Sequence, residues 1–322
     1  MTTPFIVAEM SANHMRSLPR ALLLVDAAAD AGADAIKVQT WTPGTMCIAE
    51  HVLDSGPWAG RDLRSLYAEA FLPWEWHAPI FERARSRGLI PFSAAFDAGA
   101  VDFLETLGVD RHKVASFELV DLPLIRYMAS KGKPMILSTG MATWEEIEEA
   151  GDAAGWDDIT LLKCTSAYPA DASDANLSTF PGDWRSHAWG LSDHSLGIGV
   201  AVAATALGAT YIEKHLTLSR ADGGLDAGFS MEPAEFAQMV VECRRAAAAI
   251  GEVRYGPGPH ESTALRRSLW VTQPVAAGER LVLGVNVATA RPALGLPPST
   301  TLTTARCRIE AGTPLTAEVM AP

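Results

Sequence analysis

The chain has 322 residues, 48% hydrophobic and 20% charged, a balance that builds a sizeable core and excludes general disorder. Thirty-eight acidic residues against 26 basic ones give a net charge of −12, which argues against a nucleic-acid partner because no positive field draws in a phosphate backbone. A local lysine pocket can still hold an anion.

Residues 4–10 lack the basic flank of an export signal, and Glu9 interrupts them. No apolar run reaches the roughly 18–20 residues of a membrane span. The four cysteines, Cys47, Cys164, Cys243 and Cys307, show no zinc-like spacing and read as reduced thiols. The expectation is a cytoplasmic protein with no membrane partner.

In chain order, residues 5–12 read as a strand, 17–31 as a helix stopped at Gly32, and 35–40 as the second strand. A long insertion over 41–60 precedes a helical stretch from 62 to 87. Residues 89–95, 112–116, 135–140, 159–165, 188–193 and 211–216 read as six further strands. Helical patterns at 97–107, 122–131, 144–154, 197–208 and 232–250 fill the gaps. Eight βα units in about 250 residues predict an α/β fold, a (β/α)8 TIM barrel, with a doubly wound open sheet as the alternative. The expected domains are a barrel over 1–250, a Gly- and Pro-rich linker over 251–263, and a small β-rich module over 264–322. That module carries strand-like runs at 268–273, 285–289 and 301–309. It is too small for a large core and should lean on the barrel or on a second subunit.

Barrel enzymes carry their chemistry at the C-terminal ends of the strands. Those ends deliver Glu9, Lys37, Ser93, Lys113 with Ser116 and Glu118, Ser138 with Thr139, Thr165 with Ser166 and Tyr168, Ser192 with His194, and His215. A single serine there is ordinarily a turn residue. Lysines inside strands, as in Ala-Ile-Lys-Val-Gln-Thr (35–40) and His-Lys-Val-Ala-Ser (112–116), are different. They point into the barrel mouth, where an ammonium is costly without a compensating anion. A phosphate- or carboxylate-bearing substrate follows. His194 and His215 close neighbouring strands, about 4.8 Å apart, and can converge on one divalent ion. The plainer alternative is two structural histidines bonding loops. Gly-Ile-Gly (197–199) lacks the third glycine of a dinucleotide loop, with Val202 in its place, and reads as a turn opening a helix.

Longer motifs join these positions: Ala-Glu-Met-Ser-Ala-Asn-His (8–14), Gly-Ala-Asp-Ala-Ile-Lys-Val-Gln-Thr (32–40), Leu-Ser-Thr-Gly-Met-Ala-Thr (137–143), Cys-Thr-Ser-Ala-Tyr-Pro-Ala (164–170), Gly-Leu-Ser-Asp-His-Ser-Leu-Gly (190–197) and Ile-Glu-Lys-His (212–215). Together they closely resemble the sialic acid synthase family, over nearly the whole chain and including its C-terminal antifreeze-like (SAF) module. Ala-Ser-Phe-Glu (115–118), Leu-Tyr-Ala-Glu-Ala (66–70), Pro-Trp-Glu-Trp-His (73–77) and Asp-Gly-Gly-Leu-Asp (222–226) are most similar to the pseudaminic acid synthase branch.

The resemblance implies condensation of phosphoenolpyruvate with a 2-acetamido or 2,4-diacetamido sugar aldehyde, giving a nine-carbon 2-keto acid and phosphate. It implies a divalent metal on His194 and His215, manganese first, with magnesium or cobalt as alternatives. Lys37, Lys113, Ser116, Ser138 and Ser192 would grip the phosphoenolpyruvate, Ser93 would also be substrate-binding, and Glu9 and Glu118 would handle the attacking water. Gln39, Ser166, Tyr168 and Asp226 would line the substrate site. Arg291 would reach the sugar site of a partner subunit, which implies a domain-swapped homodimer.

The chain departs from the family pattern in its loops. Ser93 is followed by Ala94 and Ala95 where a hydroxyl and a proline are usual. Met15-Arg16 stands where Asn-Gly is usual, and Ala-Gly-Phe-Ser follows Asp226 where serine and alanine are common. These changes suggest an altered sugar acceptor. Competing readings are a legionaminate, N-acetylneuraminate or other higher-sugar synthase, a Schiff-base aldolase using Lys37 or Lys113, and a carbohydrate-binding protein on an inactive barrel.

Overall fold

The structure, a computed structural model, describes residues 3–179 and 188–322. Eight parallel strands close on themselves in sequence order: β1 (Phe5–Glu9), β2 (Ala35–Thr40), β3 (Ile90–Ala95), β4 (His112–Val114), β5 (Met135–Ser138), β6 (Ile159–Cys164), β7 (Ala188–Asp193) and β8 (Tyr211–His215). β8 pairs back to β1, so the sheet is a closed (β/α)8 barrel and the open-sheet alternative falls. The helices are α1 (Leu18–Asp30), α2 (Pro43–Met46), α3 (Leu63–Ala70), α4 (His77–Ser86), α5 (Ala98–Thr106), α6 (Leu122–Ala129), α7 (Trp144–Ala154), α8 (Gly199–Ala206) and α9 (Pro233–Ile250). Their starts follow local chemistry. Ser17, Asp62, Asp97, Asp121 and Thr143 each accept a backbone N–H in the first turn. Thr143 and Glu146 form a reciprocal capping box.

Two expected elements change. The helical stretch over 62–87 is two helices, because Pro73 disfavours helical backbone before it and Phe71 turns extended at ψ 143°. The first strand ends at Glu9 rather than residue 12, as Met10 turns helical and Ser11 takes φ 45°. In the next residues, Met15 (φ 49°) and Arg16 (φ 54°) hold left-handed backbone without being glycine. Arg16 secures that shape by donating to Ala68 O at 2.9 Å and stacking 4.4 Å over the Phe71 ring.

Side chains of each strand alternate between the barrel interior and the surrounding helices. Val7, Ala35, Phe92, Ile136, Leu162 and Tyr211 pack one inner layer. Two residues further along those strands the inward positions are Glu9, Lys37, Ala94, Ser138, Cys164 and Glu213. The hydrophobic floor thereby delivers a polar mouth at the C-terminal ends.

The barrel with its helices forms one compact unit, Met1–Gly251, and Glu252–Pro322 forms another. The second unit holds an antiparallel pair, β9 (Ser268–Val271) and β10 (Val287–Ala290). The strand expected over 301–309 is absent as a ladder; Thr304, Ala305 and Ile309 make only isolated bridges between turns. The unit does have a core of its own: Leu269, Val271, Val275, Leu281, Val287, Ala305, Ile309 and Leu315 are buried together. All four cysteines are unpaired, and no helix among the described residues is long and apolar enough to cross a membrane.

Candidate active site

The mouth divides into two arcs. On the first, Lys37 Nζ from β2 lies 2.6 Å from Glu9 Oε2 and 3.4 Å from Glu213 Oε1. Strand register dictates this, since Glu9 and Lys37 are direct partners in the β1–β2 ladder. Glu9 Oε1 is occupied as well, accepting from Ser11 N–H at 2.9 Å and Gln39 Nε2 at 3.0 Å. Ser192 donates to Glu213 Oε1 at 3.2 Å. Burial opposes ionisation of Glu213, but the Lys37 and Lys113 ammoniums hold its carboxyl below the usual carboxylate range.

Lys113 from β4 is wholly buried and donates to Ser138 Oγ at 2.6 Å and Val114 O at 2.8 Å. No carboxylate pairs with it directly among the described residues. Burial pulls its pKa down to about 8. An ammonium bonded only to neutral oxygens is short of an anion. Glu118 stands near Lys113 with one buried carboxylate oxygen lacking a hydrogen-bond partner, and burial pushes its pKa up to about 7. Gly140 draws the next loops together: at φ 40° a Cβ there would fall 2.4 Å from Ser116 Cβ and 2.8 Å from Ser166 Oγ.

The second arc is aromatic. The imidazoles of His194 and His215 stand 5.3 Å apart, ring centre to ring centre. Tyr168 lies 4.4 Å from the His194 ring, and Phe229 is 5.1 Å from both Tyr168 and His215. Trp58 closes the cluster 5.7 Å from Tyr168, its indole donating to Leu225 O at 3.2 Å. His194 Nδ1 donates to Thr165 O at 2.9 Å, which leaves Nε2 with its lone pair. His215 Nδ1 is buried with no hydrogen-bond partner, and burial drives its pKa well down, so the ring is neutral. His194 differs: burial opposes its charged form, but Cys164 Sγ and Thr165 O beside Nδ1 raise its pKa. Two imidazoles facing one space at adjacent strand ends are metal-ligand chemistry. Asp226 reaches across, accepting from Ser11 Oγ at 2.5 Å and Ala12 N at 3.3 Å.

Of the residues expected from sequence, Ser93 is not at the mouth. It occupies the outward register of β3, its hydroxyl 2.6 Å from Thr40 Oγ1, which meets His77 Nε2 of α4 at 2.7 Å. Arg291 lies in the second unit, exposed on the turn after β10. Sequence reading missed Glu213, although counting back two from His215 on a strand finds it. It also missed Ser11, Trp58 and Phe229, which sit in loops that carry no periodic signal.

A model of the NeuB family matches residues 24–255. The chain belongs to the NeuB family. Pseudaminic acid synthase of Helicobacter pylori is 40% identical over 307 residues, covering 92% of this chain and 90% of that protein. N,N'-diacetyllegionaminic acid synthase of Legionella pneumophila is 35% identical over 314 residues, covering 92% and 88%. The structure of N-acetylneuraminic acid synthetase from Leptospira borgpetersenii superposes with a TM-score of 0.73 at 32% identity, over 80% of this chain and 88% of that one. This NeuB chain is therefore an enzyme of the sialic acid synthase-like family.

Proposed function

We propose that the enzyme condenses phosphoenolpyruvate with a 2,4-diacetamido sugar aldehyde to give a nonulosonic acid and phosphate, as a pseudaminic acid synthase. The observation that carries the reading is Lys113: a buried ammonium bonded only to neutral oxygens, beside Ser138 and across from Lys37. It supports a fixed anion site on the first arc, with Lys113, Lys37, Ser116, Ser138 and Ser192 receiving carboxylate and phosphate. The greater identity to the pseudaminic than to the legionaminic acid synthase supports the choice of acceptor.

His194 and His215 would hold a divalent ion, manganese foremost. No group of three or more His, Cys, Asp or Glu ligands is assembled among the described residues, so its remaining ligands would be water or substrate oxygens. When bound, such an ion supplies Lewis-acid polarisation of the aldehyde oxygen. The protein does the rest. The first arc orients C3 of phosphoenolpyruvate toward the aldehyde carbon, and the enol double bond supplies the electron pair of the new C–C bond. C2 is left as an oxocarbenium, and water adds to it. Glu118, near neutrality in pKa, takes one proton from that water and returns it to the former aldehyde oxygen. The hemiketal then breaks its C2–O bond, the second proton leaves with phosphate, and the 2-keto acid remains. Glu9 is bound to Lys37, Ser11 and Gln39 and serves better as an orienting group. Tyr168, Ser166, Gln39 and Asp226 would face the sugar, with Trp58 and Phe229 as an apolar wall.

The second unit would act as an SAF module, carrying Arg291 to the sugar site of a partner subunit in a cytoplasmic, domain-swapped homodimer. Mixed Arg291→Ala and Lys113→Met subunits should then regain activity, since one site per hybrid holds both residues. Demonstrated exchange with no recovery would remove the swap.

Incubation with phosphoenolpyruvate, Mn(II) and a panel of 2-acetamido and 2,4-diacetamido sugars, with phosphate assay and mass spectrometry, tests the whole reading. Phosphate release coupled to a nine-carbon product from a diacetamido sugar is expected. No product from any acceptor would overturn it.

A further inference from the structure

The motifs around the two histidines contain a second pair of residues that the reaction does not use. Asp193 and Lys214 point away from the mouth toward the helices and are 4% and 1% exposed. Lys214 Nζ lies 2.5 Å from Asp193 Oδ2 and donates to Ser195 O at 2.6 Å. Asp193 Oδ1 accepts from Ser195 N–H at 2.8 Å and from Ser195 Oγ–H at 2.7 Å. The turn Asp193–His194–Ser195 is thus clasped on both sides of His194 by one ammonium and one carboxylate.

The ladder explains why a clasp matters there. Main-chain pairing of β7 with β8 runs from Gly190↔Tyr211 to Asp193↔Lys214 and stops. His194 and His215 are the next residue on each strand, one step past the last rung. Beyond that rung the main chain of each turns elsewhere: His194 O accepts from Ala170 N at 3.0 Å, and His215 O accepts from Met231 N at 2.9 Å. Past that rung the side-chain pair adds a further join between the two strands, beside the imidazoles.

We propose that the Asp193–Lys214 ion pair is a positioning device that fixes the separation of His194 and His215 and so sets the affinity of this site for a divalent ion. The inference rests on the metal reading given above. Asp193 and Lys214 touch neither ion nor substrate; they act through the two imidazoles. Groups that hold metal-ligating histidines in place typically contribute 10- to 100-fold to metal affinity.

The test is Mn(II) binding, read by electron paramagnetic resonance of the free ion, with phosphoenolpyruvate binding measured calorimetrically without metal and melting followed by circular dichroism. The double variant Asp193→Asn/Lys214→Met removes both charges and leaves no lone ion buried. It should bind Mn(II) roughly 10- to 100-fold more weakly than the wild type while holding phosphoenolpyruvate within about twofold. A lower melting temperature with unchanged Mn(II) affinity would make the pair merely structural and overturn the proposal. Should the double variant not fold, Lys214→Arg decides: it keeps the charge but puts a bulkier planar group into a wholly buried ammonium site and so displaces the Asp193–Ser195 clasp; weaker Mn(II) binding supports the proposal and wild-type affinity overturns it. A wild type that takes up no Mn(II) rejects the metal reading itself, which separates the two failures.

Discussion

The two arcs of the barrel mouth solve the cost of burial in opposite ways. The Lys37–Glu9–Glu213 arc buries full charges and compensates them with one another, leaving Lys113 as the member without a carboxylate. The His194–His215 arc holds two imidazoles with no ion pair between them, a neutral His215 and a more basic His194, walled by Tyr168, Phe229 and Trp58. On the proposed function, the phosphoenolpyruvate would sit on the first arc and the sugar, with an ion to grip its oxygens, on the second.

The comparison breaks most sharply at the imidazoles. Replacing His215 by alanine, or adding excess chelator, should lower turnover roughly a thousandfold, because Lewis-acid assistance supplies several kcal/mol. Phosphoenolpyruvate affinity, a property of the other arc, should stay within about twofold; full turnover in chelator would remove the metal.

The two lysines should then part company. Lys37→Met strands Glu9 and Glu213 as buried carboxylates and should cost about 3–5 kcal/mol in chemical denaturation. Lys113→Met leaves Glu213 its direct partner Lys37, so it should cost clearly less stability, while phosphoenolpyruvate affinity falls roughly tenfold to a hundredfold, the worth of a charge-assisted bond. Equal destabilisation by both would show that Lys113 is compensated after all.

The smallest effect concerns pH. Burial raises the Glu118 pKa to about 7 from the usual 4.5, so the folded state holds a proton that the unfolded chain releases. Its contribution to stability is complete below pH 4.5 and is lost as pH rises through about 7. Glu118→Gln does not titrate, so its stability advantage over the wild type should grow by about 3 kcal/mol between pH 4.5 and pH 8. A flat difference across that range would place Glu118 in water.

Much of this was legible in the chain. Apolar runs separated by helical periods dictated eight βα units, and lysines inside apolar strands pointed to the charged arc of the mouth, because burying an ammonium needs a reason. Ser93 was misplaced for a simple cause: at a strand end one residue separates mouth from helical layer, and Ser93 sits on the outward step. Glu213 was overlooked beside His215 although the same two-residue alternation points to it. Trp58 and Phe229 were beyond reach, since a loop's shape depends on contacts remote in sequence. The second unit was expected to be too small for a large core of its own. Turns fold its short strand runs back so that eight apolar side chains meet.

The left-handed pair after the first strand bears on how such a protein can change over time. Holding Met15 and Arg16 at positive φ costs about 1–2 kcal/mol for each. The Arg16 contacts to Ala68 O and the Phe71 ring return about 0.5–1.5 and 0.5–1 kcal/mol respectively. A glycine at position 16 would shed the torsional cost and lose both contacts, for a net change close to zero. Mutational drift can therefore cross between an arginine-latched turn and a glycine-relaxed one without passing through an unstable ancestor. What differs on the two sides is the stiffness of the loop after the first strand, a trait on which selection can act while the fold stays silent.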